Sequence, residues 1–259
     1  MTRFSWIRTL CIAMLTMFLV PQSIDAAKKE PVTEKIVFIP HDNRPISSKQ
    51  TADVVQRVGY DVITPPRELL GNREDWGHPD ALWTWLDENL AQPGVKAAVI
   101  SSDAMIYGSL VGSRKHSFTR DQVLARAARF DALQRSHTKT PLYVFGSIMR
   151  TPRSGEASGH EEPEYYRRYG ADIFRYTVLR DKEEVEGLSR RERKEYDFLG
   201  RLIPKEALAD WMGRREKNYA VNEYLIDLLR KHGTFRYLTL GRDDNAPFSQ
   251  THLESRHLT

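Results

Sequence analysis

Polar side chains follow four segments of the sequence that have the composition of buried strands. Near the C-terminus, the apolar run Phe235–Leu240 ends at Gly241 and continues as "RDDNAP". Three earlier apolar runs are followed in the same way by "HDNRP", "SDAMIYG" and "SIMRTP". If these strands are parallel, their carboxyl ends meet at one edge of a sheet, which is where α/β proteins bind their ligands.

The carboxylates at these strand ends suggest acid–base chemistry. Two carboxylates about 5–10 Å apart can act as the acid and as the base or nucleophile in the hydrolysis of a glycosidic bond. Neighbouring residues of a strand point to opposite faces. A pair from two different strands is therefore as good a candidate as the adjacent pair. The candidate catalytic residues are Asp103, Asp243 and Asp244.

Other side chains in the same segments are suited to holding a ligand. Arginine binds a carboxylate, sulfate or phosphate group through two parallel hydrogen bonds, and it lowers the pKa of nearby carboxyl groups. A tyrosine ring can stack on a sugar ring. The candidate substrate-binding residues are Asp42, Arg44, Tyr107, Arg150, Arg242 and Asn245.

Turn formation is the alternative explanation for these polar clusters. Asp and Asn are common after strands because their side chains hydrogen-bond to the nearby backbone. For any single cluster this explanation is as good as a functional one. The functional interpretation depends on all four clusters lying at the same edge.

A metal-dependent reaction at the same aspartates is a second possibility, with oxygen ligands and His41 beside Asp42. The sequence predicts no specific metal site, because "GHEEPEYY" is not an HExxH motif, and it predicts no cofactor. It also contains neither a GxxxxGK[ST] motif nor a GxSxG motif. The one cysteine, Cys11, lies in a predicted signal sequence, so thiolate catalysis and disulfides are not expected in the mature chain.

Alternating strand and helix patterns must position these residues. Five strand-like segments alternate with amphipathic helical segments, which predicts an α/β fold with a parallel sheet and right-handed crossovers. Residues 152–215 show no strand pattern and are predicted to form a helical insertion. No closing helix or strand is predicted after the loop that follows the last strand. The sheet is therefore expected to be small and open, or to be the first part of a barrel-like fold.

The N-terminus has the pattern of a secretory signal. Arg3 and Arg8 flank a basic start, the apolar run "LCIAMLTMFLV" follows, and small residues occur at Ala26 and Ala27. We expect residues 1–26 to be a signal peptide and residues 27–259 to form one α/β domain, with an uncleaved anchor as the alternative. The protein is then secreted or associated with the cell envelope, with no stable membrane span after cleavage. The formal net charge of +4 does not indicate a nucleic-acid partner.

Several phrases together resemble the bacterial family DUF4127. They are "IPHDNRP", "PPRELLG", "SSDAMIYGSLVGSR", "SIMRTP", "RREKNYAVN" and "LGRDDNAPF", and the resemblance extends from Ile36 to Arg256. The usual first phrase of the family looks like Pro-Leu-Asp-x-Arg-Pro, often with Glu at x. Here His41 and Asn43 depart from that phrase, while Asp42 and Arg44 match it. Because members of the family are usually longer, the resemblance implies that this chain corresponds to an N-terminal part that is incomplete at its C-terminus.

These observations predict an exported hydrolase that acts on glycosidic bonds through carboxylates at its strand ends. Its expected partner is a carbohydrate or another extracellular small molecule or polymer. Two alternatives remain, namely a metal-dependent hydrolase that uses the same aspartates and a non-catalytic binding protein for an anionic sugar.

Overall fold

The structure is a computed structural model that describes residues 34–155 and 160–259. The predicted signal peptide, residues 1–26, lies outside the described residues. Within the described ranges, no helix combines the length and the hydrophobicity that crossing a lipid bilayer requires.

Five parallel strands form one sheet in the order β2-β1-β3-β4-β5. The strands are β1 (Lys35–Ile39), β2 (Asp61–Ile63), β3 (Val95–Ser101), β4 (Leu142–Ile148) and β5 (Tyr237–Arg242). The predicted α/β fold with a parallel sheet is confirmed. The order is that of an open, doubly wound sheet. In a (β/α)₈ barrel β2 would lie between β1 and β3, so these five strands do not form the barrel-like alternative.

Helices cover both faces of the sheet. They are α1 (Lys49–Arg57), α2 (Pro79–Leu90), α3 (Ser102–Tyr107), α4 (Leu110–Lys115), α5 (Arg120–Ser136), α6 (Tyr166–Val185), α7 (Arg190–Leu202), α8 (Lys205–Asp227) and α9 (Gln250–Leu258). Alternate residues of β1 point to opposite faces. Val37 and Ile39 join the main core with α2 and α5, whereas Phe38 packs in a smaller cluster with Ala52 of α1. Burial on both faces explains why the strands are continuous apolar runs.

The insertion after β4 is helical, as predicted, and has its own apolar cluster. Tyr166, Ile173, Leu199 and Trp211 pack together there. The helix that leads to β5 begins at Lys205, inside the predicted insertion. No proline interrupts this stretch, so α8 is one continuous helix whose first part packs in the insertion and whose second part packs in the main core.

The expectation that no helix or strand follows the last loop is wrong. Ser249 caps the N-terminus of α9 by accepting a hydrogen bond from the backbone N–H of His252. The helix is held by a buried ion pair in which Arg215 Nε lies 2.7 Å from Glu254 Oε1. Arg215 also donates hydrogen bonds to the carbonyl oxygens of Met149 and Arg150. The pair therefore connects α9 to the segment that follows β4.

We predict that Glu254→Ala lowers the free energy of unfolding by about 3–5 kcal/mol, because it leaves the buried Arg215 guanidinium without its counter-charge. Asp227→Ala removes the acid of an exposed pair with Lys231 and is the control. It should cost less than about 1 kcal/mol. Urea unfolding followed by circular dichroism measures both changes, and equal stabilities for the two variants would contradict the assigned role of the buried pair.

Candidate functional site

Several of the predicted site residues lie at the carboxyl edge of the sheet, in the segments that follow β1, β3, β4 and β5. The chain leaves β1 toward β2 on one side and then crosses to β3 on the other. Open α/β sheets bind ligands at such a switch point. His41 and Asp42 follow β1 here, and Asp103 follows β3 in the first turn of α3.

Buried Asp103 and partly exposed His41 form a pair at this point. His41 Nδ1 lies 3.2 Å from Asp103 Oδ2, at ion-pair distance but without hydrogen-bond geometry, and 2.9 Å from Ser101 Oγ. Ser147 Oγ of β4 donates a hydrogen bond to the other oxygen of Asp103. The His41 ring packs edge-on against Phe145, with its centroid 4.7 Å away.

This arrangement leaves the second nitrogen of His41 without a partner. Within the described part of the chain no hydrogen bond is made by His41 Nε2, and 24% of the side chain is exposed. A carboxylate beside Nδ1 favours the tautomer with its proton on Nδ1. Nε2 is then an acceptor that a ligand can approach, on the opposite side of the ring from the Asp103 carboxylate. A general base paired with a carboxylate has the same order of groups.

Four guanidinium groups surround the carboxylate of Glu161, and we call Arg44, Arg73, Arg114 and Arg150 the arginine cluster. Arg114 Nη1 and Arg150 Nη2 lie 2.7 Å and 3.2 Å from Glu161 Oε2. Arg73 Nε and Arg44 Nη1 lie 2.9 Å and 3.4 Å from Oε1. Each carboxylate oxygen is thus contacted by two arginines.

Asp42 fixes one member of the arginine cluster. Its Oδ2 lies 2.9 Å from Arg44 Nε and 2.7 Å from Nη2, and its Oδ1 accepts a hydrogen bond from the Arg44 backbone N–H. Asp42 is fully buried. The predicted contact of Asp42 with a substrate stays a prediction that this position does not favour, because the carboxylate faces Arg44 inside the protein and positions its guanidinium.

Two further arginines of the cluster each have a second carboxylate. Arg114, whose side chain is buried in α4, lies 2.9 Å from Asp243 Oδ2. Arg150 Nε lies 2.9 Å from Glu162 Oε1. Asp243 remains about half exposed, so it is the one predicted catalytic carboxylate that a ligand can reach directly.

The pKa values of the two adjacent glutamates are shifted in opposite directions. Burial raises the pKa of Glu162, and its Oε2 has no hydrogen-bond partner among the described residues. Burial also acts to raise the pKa of Glu161, but the charges of Arg114 and Arg150 outweigh it and the net shift is downward. Burial, followed by the nearby charge of Arg150, lowers the pKa of Arg114. Glu161 is therefore ionised at neutral pH.

Asp244 is bound within the loops that surround the site. Its Oδ2 accepts a hydrogen bond from the backbone N–H of Thr151. Its Oδ1 accepts hydrogen bonds from the backbone N–H of Ala246 and from Ser249 Oγ. These contacts favour the turn-forming explanation for Asp244, since they join the loops after β4 and β5 to the start of α9.

Three predicted ligand-binding residues do not join the cluster. Tyr107 is part of the main core, where its ring stacks on His116 at a centroid distance of 4.9 Å. This position does not favour the predicted stacking of Tyr107 on a sugar, because α3 turns the side chain inward. Arg242 and Asn245 are exposed, and Arg242 forms no ion pair with any described residue.

The sequence interpretation missed several residues of the site. Glu161 and Glu162 were considered only as part of a rejected zinc motif, and Arg73 and Arg114 not at all. Arg114 meets Glu161 across 47 positions of sequence and Asp243 across 129. No local sequence pattern predicts contacts between residues so far apart. The adjacent acids "EE", in a loop with few apolar residues, were the one usable signal for a charged site.

The arginine cluster does not line the cavity found beside it in the fold. A cavity of about 630 Å³ lies next to Asn43 and is lined by Glu68, Trp76 and His78, but by no residue of the arginine cluster. Residues 34–155 and 160–259 also contain no group of three or more His, Cys, Asp or Glu side chains placed to hold a metal ion. The metal-dependent alternative thus depends on the sequence pattern alone.

The sheet and its edge define an α/β protein with an open parallel sheet and a cluster of charged side chains at the carboxyl edge. The chain belongs to the DUF4127 family, described as "Protein of unknown function (DUF4127)", whose profile matches residues 36–259. This confirms the resemblance seen in the sequence. Searches of curated proteins and of solved structures found no match.

We predict that Asp244→Asn lowers the free energy of unfolding by about 1–3 kcal/mol, because asparagine has one acceptor oxygen for three donors. Asp243→Asn should cost less than about 1 kcal/mol, since this side chain is half exposed and Arg114 keeps Glu161. Chemical denaturation measures both. An Asp244→Asn protein that is as stable as Asp243→Asn would show that the loop contacts of Asp244 contribute little.

Proposed function

We propose that the protein is an exported hydrolase that acts on glycosidic bonds at the switch point between β1 and β3. His41 is the acid–base group, Asp103 orients it, and Asp243 is the carboxylate closest to the solvent side of the site. The observation that carries this proposal is the His41–Asp103 pair, in which the carboxylate occupies one side of the imidazole and leaves Nε2 available.

The pair suits proton transfer for three reasons. A neutral imidazole carries a proton on one ring nitrogen and can accept a second proton on the other. Asp103 is buried and receives a hydrogen bond from Ser147, which fixes its orientation. Hydrolysis adds one water across a bond, so one proton leaves the water and one joins the leaving oxygen. His41 can serve one of these transfers at Nε2.

Export supports a carbohydrate as the substrate. A protein with a signal peptide at residues 1–26 reaches the cell envelope or the medium, where polymeric glycans are the abundant substrates for hydrolysis. The half-exposed Asp243 could contact a sugar hydroxyl or the anomeric centre. Arg44 and Arg150 lie at the same edge and could hold the part of the glycan next to the bond that is cleaved.

A non-catalytic binding protein for an anionic sugar is the second candidate. It is favoured by the ion pairs that Asp42 and Asp243 form with arginines, because a carboxylate held by an arginine is less available as an acid, base or nucleophile. Binding of acidic oligosaccharides without any turnover would support this candidate over the hydrolase.

We predict that the full-length protein cleaves at least one member of a glycan library, and that Asp103→Asn and His41→Gln lower kcat/KM by about 10²–10⁴-fold. The control is the His137–Asp87 pair, whose Nε2–Oδ1 distance is 2.8 Å and which lies away from the site. Asp87→Asn should keep native activity. Assays with and without a chelator distinguish this hydrolase from the metal-dependent alternative, because a chelator abolishes turnover only in the metal-dependent enzyme.

Two outcomes would contradict the proposal. One is native turnover in both Asp103→Asn and His41→Gln, provided that their melting temperatures show folded protein. The other is the absence of turnover on every glycan by a folded wild-type protein that binds some of them.

The export step has its own test. N-terminal sequencing of protein recovered from the envelope or the medium should begin near Ala27 or Lys28, because the small residues at Ala26 and Ala27 suit signal peptidase. Protein that retains Met1 and stays in the cytoplasm would contradict export.

A further inference from the structure

We infer that the arginine cluster is a binding site for an oxyanion of the carboxylate, sulfate or phosphate type, and that Glu161 occupies this site as an internal carboxylate. The inference depends on the charges and contacts of Arg44, Arg73, Arg114 and Arg150. It stands whether or not the protein is a hydrolase.

The contacts of Glu161 are those of a bound anion. Two arginines contact each of its oxygens, at distances between 2.7 Å and 3.4 Å. Charge-assisted contacts of this kind are the way in which arginine recognises carboxylate and phosphate groups. The Glu161 carboxyl group therefore stands in for the carboxylate, sulfate or phosphate of a ligand.

The site is organised without Glu161. Asp42 holds Arg44, Asp243 holds Arg114, and Glu162 holds Arg150, each through contacts of 2.9 Å or shorter. These partners keep three guanidinium groups in place when the central carboxylate is absent. A site that is already ordered loses little conformational entropy when it binds its ligand.

Glu161 itself is held only by the cluster. Within the described part of the chain, every ion pair and side-chain hydrogen bond of Glu161 is made with one of the four arginines. A ligand anion that replaced it would break no other side-chain contact. The replacement also has a route, because Arg73 on the outer side of Glu161 has 65% of its side chain exposed.

The charge balance explains why the cluster needs an anion. Arg114 is buried beside Arg150, and burial together with this like charge lowers the pKa of Arg114. Like charges in a buried position are tolerated only when counter-charges accompany them. Asp42, Asp243 and Glu162 supply three carboxylates for the four guanidinium groups. The central position supplies the fourth, from Glu161 or from a ligand.

The test measures anion binding in variants of the full-length protein by calorimetry. The probes are inorganic sulfate, inorganic phosphate and galacturonate, with galactose as the uncharged comparison. Glu161→Ala empties the central position, and Glu164→Ala removes the same charge from an exposed residue three positions away and is the control. If Glu161 fills the site for at least roughly nine tenths of the time, its removal raises the apparent affinity by about tenfold or more.

The expected result is that Glu161→Ala binds at least one of the three anions at least about tenfold more tightly than the wild type. Glu164→Ala should bind like the wild type, and galactose should not bind to the cluster. Adding Arg150→Met to Glu161→Ala should abolish the gain. A preference for galacturonate would indicate an acidic sugar, and a preference for sulfate or phosphate a tetrahedral anion.

Equal affinities in Glu161→Ala and the wild type would overturn the inference, as would a gain that persists after Arg150→Met. Melting curves show whether each variant is folded. If Glu161→Ala is not folded, Glu161→Gln keeps the shape of the side chain without its charge, and it should still bind the anions more tightly than the wild type does.

Discussion

The rest of the site depends on one interaction, namely the neutralisation of four guanidinium charges by carboxylates at the carboxyl edge of the sheet. The arginines come from different connections. Arg44 follows β1, Arg114 belongs to α4 after β3, and Arg150 follows β4. The parallel register of the strands brings these connections to one edge, and there the carboxylates allow the positive charges to lie close together. Glu161 is the central counter-charge because it contacts all four arginines.

Contacts outside the arginine cluster hold the loops that carry it. Buried Arg215 links α8 to α9 through Glu254 and also hydrogen-bonds to the carbonyl oxygen of Arg150. Asp244 joins the loops after β4 and β5. Substitutions at these positions should therefore disturb the arginine cluster indirectly. The His41–Asp103 pair depends less on the cluster, since its contacts come from the ends of β3 and β4.

Most of the fold could be predicted from the sequence, because buried parallel strands are continuous apolar runs and helices carry caps such as Thr119. The α9 helix could not, since its buried side depends on a distant arginine more than on an apolar stripe. For the site, the sequence indicated the edge of the sheet at which the polar side chains lie, but not which of them face a ligand. Asp42 and Tyr107 have side chains that can bind a ligand, but both face the protein interior. The sequence alone does not show which way a side chain in a loop or short helix points. Glu161 lies in a loop and meets its arginines only after folding.

The most direct test of the arginine cluster as an anion site is a crystal structure of the Glu161→Ala protein grown with selenate, an anomalous scatterer that mimics sulfate. The account predicts an anomalous difference peak among the guanidinium groups of Arg44, Arg114 and Arg150, with these three side chains placed as they are around Glu161. Absence of a peak there, together with guanidinium groups that have moved apart into solvent, would contradict it.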